Sequence, residues 1–198
     1  MKCILVIDPG AAGGFAVQYP DGTVDAKKMM ETPKDICDFI SLVHAHALGN
    51  ASSVKCYLEK VGGYMGGEGG NQAPATAMFN FGKGIGHLEG ILIALGIPFD
   101  EVLPKKWQKA LNLGTKGLER GNYSATMSAG QRSLEKKRVS QINGRLKTAW
   151  KNRLRDRAQK LFPHLHVTLA ISDALLILEY AARQENIPLA PAPQQQPI

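Results

Sequence analysis

Three carboxylates stand at the ends of predicted secondary-structure elements. Asp8 ends the apolar run that opens the chain, in MKCILVIDPG, and Glu59 ends an alternating run, in VKCYLEKV. Asp173 begins an apolar helical stretch, in AISDALLILEYA. If the two runs are neighbouring strands, Asp8 and Glu59 face each other across one end of a sheet, and a helix can bring Asp173 to the same place. Such converging carboxylates repel one another and therefore call for a cation.

Oxygen ligands of this kind select Mg²⁺, with Mn²⁺ as a substitute. Two such ions, about 4 Å apart, can activate a water molecule and stabilise the leaving oxygen of a phosphodiester. The pattern predicts Asp8, Glu59 and Asp173 as metal ligands and catalytic residues, with two ions per active site. Each acid also has a structural interpretation: Asp8 as a turn residue before Pro-Gly, Glu59 as a surface acid, and Asp173 as a helix N-terminal acid with Ser172 as the cap.

The elements that must position these acids follow from the hydrophobic periodicity. The pattern predicts strands at 2–8, 13–19 and 22–28, with a hairpin turn at Asp21-Gly22. It then predicts a helix at 33–47, a strand at 54–59, a long helix at 75–95, a strand at 97–103 and a short helix from Pro104. Three antiparallel strands followed by crossovers indicate an α/β fold, with a mixed five-stranded sheet flanked by helices.

The second half of the chain is predicted to be mostly helical. Residues 113–132 are rich in Gly and Ser and are expected to be mobile. An apolar stripe then steps by three or four residues from Val139 to Leu161, and Gly144 is expected to break it into two helices. A last amphipathic helix covers 173–183. With 198 residues, the chain is predicted to be a single domain over 1–187, with a disordered tail over 188–198.

The positive charge is concentrated in one basic segment. The net charge is +7, but residues 115–160 hold 13 Lys and Arg against 3 Asp and Glu, so the remainder is slightly acidic. A near-neutral body with a basic segment, here taken as about 113–157, is typical of a protein that binds a phosphate backbone. A solvated charged helix is the alternative. The predicted DNA contacts here and in the short helix before it are Lys105, Lys106, Lys109, Lys116, Arg153, Arg155 and Arg157.

Composition argues against several other classes of protein. No apolar run approaches the roughly 20 residues of a membrane span. Asp8 interrupts the first apolar stretch, so a signal peptide is not expected. The three cysteines are scattered and form no CxxC pair, which argues against a disulfide framework or a zinc site. These features predict a cytoplasmic protein.

Four stretches of the sequence resemble the RuvC-like Holliday junction resolvases of the phage and chloroplast type, within the ribonuclease H-like nuclease superfamily. VIDPGAAGGFAV resembles the first motif of that family, and CYLEKV resembles the second, with Glu59 as the acid. MFNFGKGIGHLEGILIALGIPFDEVLPKKWQKAL resembles the block with the Gly-rich helix, a strand and Pro-x-x-Trp. LFPHLHVTLAISDALLILEYAAR resembles the closing motif. Together they cover about 1–112 and 158–183.

The resemblance implies a ribonuclease H-like sheet and a metal-dependent, structure-selective endonuclease. Such an enzyme resolves four-way DNA junctions by paired phosphodiester hydrolysis in recombination and repair, as a homodimer, in a bacterial or phage-infected cell. It also implies that the loop after Glu59 reaches the junction centre, where Tyr64 and Met65 stack on exposed bases. Met78, Phe79 and Phe81 on the next helix are expected to be core or dimer contacts.

The sequence departs from that family in two places. Many members carry a further metal-site residue three positions before the last aspartate, where this chain has Ala170. The site then runs on three carboxylates or borrows another group such as His166. The segment 113–157 is also longer and more basic than in the family. Two alternatives therefore stay open: a sugar kinase or actin-like ATPase domain, which shares the fold, and a catalytically inactive junction-binding protein.

Overall fold

A five-stranded mixed sheet forms the centre of the computed structural model, which describes residues 2–61 and 75–189. The strands are β1 (Lys2–Asp8), β2 (Gly14–Gln18), β3 (Val24–Lys28), β4 (Ser53–Glu59) and β5 (Phe99–Val102). Their order in the sheet is β3-β2-β1-β4-β5. The first three strands pair antiparallel, and β4 pairs parallel with β1 and with β5. The predicted α/β fold with a mixed five-stranded sheet is confirmed.

In the described part of the chain, five helices flank this sheet. They are α1 (Pro33–Gly49), α2 (Ala75–Ala94), α3 (Pro104–Ala110), α4 (Ala129–Leu161) and α5 (Ser172–Gln184). The Thr32 side chain caps α1 by accepting a hydrogen bond from the Asp35 N–H, and Pro33 occupies the first turn. Pro104 likewise opens α3. None of the helices in the described part of the chain is long and apolar enough to cross a membrane.

The side-chain alternation along β4 divides the core into two layers. Val54, Cys56 and Leu58 face the layer that contains α1 and the buried residues of α2. Tyr57 faces the opposite layer, which is formed by α3, α4 and α5. The predicted alternation of this strand is therefore confirmed. Because β1 lies at the centre with helices on both sides, its residues from Cys3 to Ile7 are fully buried.

The predicted break at Gly144 is wrong, because α4 runs without interruption through 33 residues. A single glycine in a helix costs only about 1 kcal/mol relative to alanine, and it still completes the backbone hydrogen-bond ladder. Trp150, Leu154 and Ala158 are buried against the body, so packing of the apolar stripe outweighs that cost. The helix also begins ten residues before Val139, with a capping box formed by Ser128 and Gln131.

The segment before α4, which was expected to be mobile, is tied to that helix. The buried Asn143 side chain accepts a hydrogen bond from the Glu119 N–H at 2.8 Å and donates one to the Glu119 carbonyl oxygen at 2.9 Å. Arg153 donates to the Thr115 carbonyl oxygen at 3.1 Å. These bonds hold the segment along α4, although it contains no regular secondary structure between Leu113 and Ser128.

The predicted role of Ser172 as a helix cap is wrong. Ile171 occupies the N-cap position without a side-chain hydrogen bond, and Ser172 is already within α5. Its hydroxyl instead donates to the Leu169 carbonyl oxygen at 3.1 Å. Of the predicted tail, Pro188 accepts a hydrogen bond from the Gln18 side chain at 2.9 Å. Residues 190–198 lie outside the described residues, so the disordered tail stays a prediction.

Candidate active site

Asp8 is the last residue of β1, and a glycine-rich turn closes around it. The Gly13 N–H donates to the Gly10 carbonyl oxygen at 3.0 Å. A Cβ atom on Gly13 would lie 2.1 Å from the Asp8 carbonyl oxygen and 3.0 Å from its Cγ. Gly10 has a φ of 106°, which favours glycine. The turn therefore needs these glycines in order to fit around the carboxylate.

Glu59 is the last residue of β4, the parallel neighbour of β1. The register pairs Ile7 with Leu58, so the residues that follow them, Asp8 and Glu59, lie side by side at the same edge of the sheet. The two carboxyl groups are close enough for the charge of Glu59 to raise the pKa of Asp8. The fully buried Trp107 in α3 donates its indole N–H to Glu59 Oε1 at 2.9 Å. Trp107 therefore orients Glu59, which lies beside Asp8.

Asp173 lies in the first turn of α5, which packs on β1 and β2. Its carboxylate accepts a 3.3 Å hydrogen bond from the hydroxyl of Ser172. The charge on Asp173 contributes to the raised pKa values of both Asp8 and Glu59. The structure therefore brings together the three acids that were selected from the sequence, which come from three separate elements.

Burial and mutual repulsion disfavour the ionised forms of these acids. Burial, followed by the charges of Glu59 and Asp173, raises the pKa of Asp8 to about 8. Burial also raises the pKa of Glu59, partly offset by the hydrogen bond from Trp107, and it raises the pKa of Asp173. Within the described residues, no ion pair includes any of the three. Clustered acids with raised pKa values are typical of functional sites.

Two lysines lie near the acids without forming ion pairs with them. The charge of Lys151, in α4, lowers the pKa values of Asp8 and Asp173 against the larger effect of burial. The charge of Lys116 acts in the same direction on Glu59 and Asp173. Lys116 comes from the segment that Arg153 and Asn143 hold in place. Part of the basic segment therefore lies near the acids, and part of it is exposed at the protein surface.

The donor set of this site suits a hard divalent cation. Three half-buried carboxylates offer only oxygen ligands, and a cation would relieve the repulsion that raises their pKa values. Among residues 2–61 and 75–189, however, no three His, Cys, Asp or Glu side chains already stand in a metal-binding arrangement. Ala170 offers no side-chain ligand, and His166 is exposed.

Sequence analysis missed three contributors to the site: Gly13, Trp107 and Lys151. The repeated glycines after Asp8 were a signal for a close approach of the backbone. Trp107 belongs to the Pro-x-x-Trp motif, but nothing in the local sequence points it at Glu59. Lys151 was included only among the general basic residues, although it directly follows Trp150 of the apolar stripe. That position fixes the side of α4 on which Lys151 lies.

The predicted DNA contacts are distributed over several environments. Tyr64 and Met65 lie outside the described residues. Lys105, Lys109 and Lys116 line one cavity beside Glu59, whereas Lys106 of the same helix is not among its lining residues. Arg153 stacks over the Trp150 ring, 4.5 Å from its centroid. Arg155 pairs with Asp156 at 2.8 Å, and Arg157 is exposed.

The apolar residues of α2 are mostly outside the core. Only Leu88 and Leu92 of this helix are buried, while Phe79 is 71% exposed and Met78 is 36% exposed. Phe81 is half-buried, with its ring near Gly10. A Cβ atom on Gly82, Gly86 or Gly90 would meet no atom of the described residues within 4 Å. The predicted core packing of Met78 and Phe79 is therefore wrong. Their role as dimer contacts stays a prediction.

Comparison with solved structures finds RuvC from Thermus thermophilus. One match is a RuvC in complex with a Holliday junction substrate, with a TM-score of 0.43, 14% identity, and coverage of 92% of this chain and 96% of that chain. A second Thermus thermophilus RuvC structure matches with a TM-score of 0.42 and the same identity and coverage. No protein-family model matches the sequence. No curated protein matches it either.

Proposed function

We propose that the protein is a metal-dependent, structure-selective endonuclease that resolves four-way DNA junctions by paired phosphodiester hydrolysis. The observation that carries this proposal is the meeting of Asp8, Glu59 and Asp173 at one edge of the sheet, where they are half-buried and form no ion pair with any residue of 2–61 or 75–189. A protein would gain nothing in stability from such an arrangement. The junction as substrate rests on the four sequence motifs that resemble the resolvases, because acids alone do not specify a DNA shape.

In this proposal the three carboxylates hold Mg²⁺ or Mn²⁺. When bound, two such ions supply an activated water molecule and stabilise the leaving oxygen of the phosphodiester. The turn around Asp8 and the indole N–H of Trp107 orient two of the carboxylates. The positive charges of Lys151 and Lys116 favour the ionised carboxylates that a cation requires. They also attract the phosphate backbone towards the same place.

The basic segment is proposed to bind DNA without reading its sequence. Arg157 is a suitable probe, because it is exposed, while Arg153 supports the segment through Thr115. Charge reversal at a phosphate contact should reduce the slope of log affinity against log salt concentration by about 0.9. The proposed stacking of Tyr64 and Met65 on junction bases is tested separately, by replacing both with glycine. This change should reduce junction cleavage more than duplex affinity.

A homodimer is proposed, because productive resolution needs two nicks at related positions and one chain carries one cluster of acids. The exposed apolar residues Met78 and Phe79 and the uncovered glycines of α2 offer an interface for a second copy. Mixing wild-type chains with Asp8→Asn chains tests the arrangement. Mixed dimers should nick one strand of the junction and leave its partner intact. A chain that sediments as a monomer on the junction and still makes both cuts would contradict the dimer.

The decisive experiment is a cleavage assay with a labelled four-way junction, in Mg²⁺, in Mn²⁺ and in excess chelator. Paired nicks that require the metal support the proposal, and Asp8→Asn protein is the matched control. Tight junction binding without nicking in Mn²⁺ would indicate an inactive junction-binding protein, as the absence of a ligand at Ala170 allows. ATP turnover without DNA cleavage would indicate the kinase or ATPase alternative.

A further inference from the structure

A cavity of about 1150 Å³ opens beside the three acids. One wall is α3 with the residues just before it, and the other is the segment from Asn112 to Lys116. Glu59 forms part of the lining, so the cavity, here called the α3 groove, is continuous with the candidate active site. Its volume slightly exceeds the roughly 300–1,000 Å³ of pockets that enclose small organic ligands, so it has room for a nucleotide.

The lining of the α3 groove combines apolar surface with positive charge. Leu103 and Pro104 contribute apolar surface, and Leu103 is 54% exposed. Lys105, Lys109 and Lys116 supply three positive charges, none of which belongs to an ion pair within the described residues. The groove therefore suits a ligand that carries both an apolar face and a negative charge.

We propose that the α3 groove binds an unpaired nucleotide of the DNA strand that lies at the active site. A duplex presents its phosphates to a protein and keeps its base faces stacked inside, so it offers nothing to the apolar wall. An unpaired nucleotide offers a base face to Leu103 and Pro104 and a phosphate to the lysines. This inference rests on the proposed function and deepens it: the groove makes the enzyme prefer DNA in which pairing is interrupted beside the cut.

The groove wall is held in place by contacts that lie outside it. The Arg153 side chain donates to the Thr115 carbonyl oxygen and stacks on the ring of Trp150, whose side chain is buried in the core. Asn143 binds both backbone groups of Glu119, three residues after Lys116. Both contacts anchor the same wall, the segment that contains Lys116, and the opposite wall is the helix α3. Pre-organisation of this kind reduces the entropy lost on binding a nucleotide.

The test compares two DNAs in chelator, with Asp8→Asn protein so that no cleavage interferes. One DNA is a fully paired duplex, and the other is the same duplex with a short unpaired extension. Fluorescence anisotropy gives the affinity for each. Lys109→Glu places a negative charge in the groove, and Lys106→Glu makes the same change on the same helix outside the lining. Gln108→Trp fills the groove without a change of charge.

Lys109→Glu should reduce the affinity for the extended DNA at least about tenfold more than the affinity for the duplex. Gln108→Trp should remove the preference for the extended DNA, while Lys106→Glu should lower both affinities by the same factor. If Lys109→Glu also lowers both by the same factor, the inference is overturned. Lys109 is exposed, so this variant decides the matter even if Gln108→Trp fails to fold.

Nicking of the four-way junction by the wild-type protein separates this inference from the proposed function. Nicking by a protein with no preference for unpaired nucleotides would overturn the α3 groove and leave the proposed function standing. If the protein never nicks the junction but shows a preference for unpaired nucleotides that depends on the groove, the α3 groove stands and the proposed function is overturned.

Discussion

The helix α5 has an acid near each end, and the surroundings of the two acids shift their pKa values in opposite directions. Near its start, Asp173 lies with Asp8 and Glu59, has no ion pair in the part of the chain that the structure describes, and has a pKa that burial raises. At its end, Glu185 bonds to the Lys2 ammonium at 2.5 Å and to the Tyr57 hydroxyl at 2.7 Å. Those two hydrogen bonds, that of Lys2 being the stronger influence, hold the pKa of Glu185 below its ordinary value.

The difference is not explained by the helix itself. An acid is favoured at the N-terminus of a helix and disfavoured at the C-terminus, so Asp173 is at the better position and Glu185 at the worse. The fold offsets the unfavourable position of Glu185 with a lysine and a tyrosine. Among the described residues, the three acids of the other cluster form no ion pair with a lysine or arginine. An acid with only a structural role is paired with neighbouring donors, and a cluster of acids without such partners indicates a place for a ligand.

The largest effect is expected from removing one acid of the cluster. Asp8→Asn, Glu59→Gln and Asp173→Asn should each reduce junction cleavage by about 10³-fold or more, because each removes a metal ligand, while junction affinity stays close to that of the wild type. Glu185→Gln is the matched control at the other end of α5 and should retain cleavage. A wild-type nicking rate in any of the three would remove that acid from the site.

A smaller effect is expected on stability in the absence of metal. The pKa of Asp8 is raised to about 8 in the folded state, so the folded protein holds a proton that the unfolded chain releases from about pH 4. The free energy of unfolding should therefore fall as the pH rises from about 4 to 8. Asp8→Asn should not show this contribution, because it has no carboxyl group at this position. At pH 8 in chelator the variant should be the more stable of the two proteins, because it has no carboxyl group at this position that must stay protonated in the fold.

Denaturant unfolding of both proteins across this pH range measures the difference, which should vanish near pH 4. Added Mg²⁺ should stabilise the wild type and leave Asp8→Asn nearly unchanged. Equal stability of the two proteins at pH 8 in chelator would show that Asp8 ionises normally in the fold.

Trp107→Phe should lower the cleavage rate by about tenfold, because Glu59 loses the indole hydrogen bond that orients it. Trp150→Phe is the matched control: it makes the same reduction in ring size in the same hydrophobic cluster, at a residue with no hydrogen bond to the acids among the described contacts. Cleavage kinetics at saturating Mg²⁺, with thermal unfolding of each variant, separate orientation from stability. Equal rates in the two variants would contradict a positioning role for Trp107.

The smallest effect is expected at the neutralised end. The pKa of Glu185 is lowered, so its contribution to stability is present above the ordinary pKa of a glutamate and is lost as the pH falls. Glu185→Gln should cost about 1 kcal/mol at neutral pH, and this cost should decrease as the pH falls through the lowered pKa of Glu185. Glu101→Gln, which breaks the more exposed pair with Lys60, should cost less. A gain in stability from Glu185→Gln at neutral pH would show that the charge of Glu185, like that of the three acids at the other end of α5, is unfavourable in the fold. It would contradict the difference proposed between the two ends.

Much of the fold was predictable, because periodicity is a property of residues that are close along the chain. The apolar run of β1, the alternation of β4 and the stripe of α4 each record which face is buried. The positions of Asp8, Glu59 and Asp173 at the ends of such elements were readable for the same reason. The errors were also local: Gly144 and Ser172 were interpreted by propensity, and the packing of α4 and the true start of α5 outweighed it.

Tertiary structure alone decided which side chains surround the acids. Trp107 reaches Glu59 across 48 residues of sequence, and Arg153 reaches Thr115 across 38. Such contacts depend on how α3 and α4 pack against the sheet, and no period or spacing in the sequence encodes the distance between two helices. The sequence by itself determined which acids the chain places at the edge of its sheet. Packing decided that Trp107 donates a hydrogen bond to Glu59 and that the acids lie half-buried beside two lysines and a groove, because these properties depend on the space between elements.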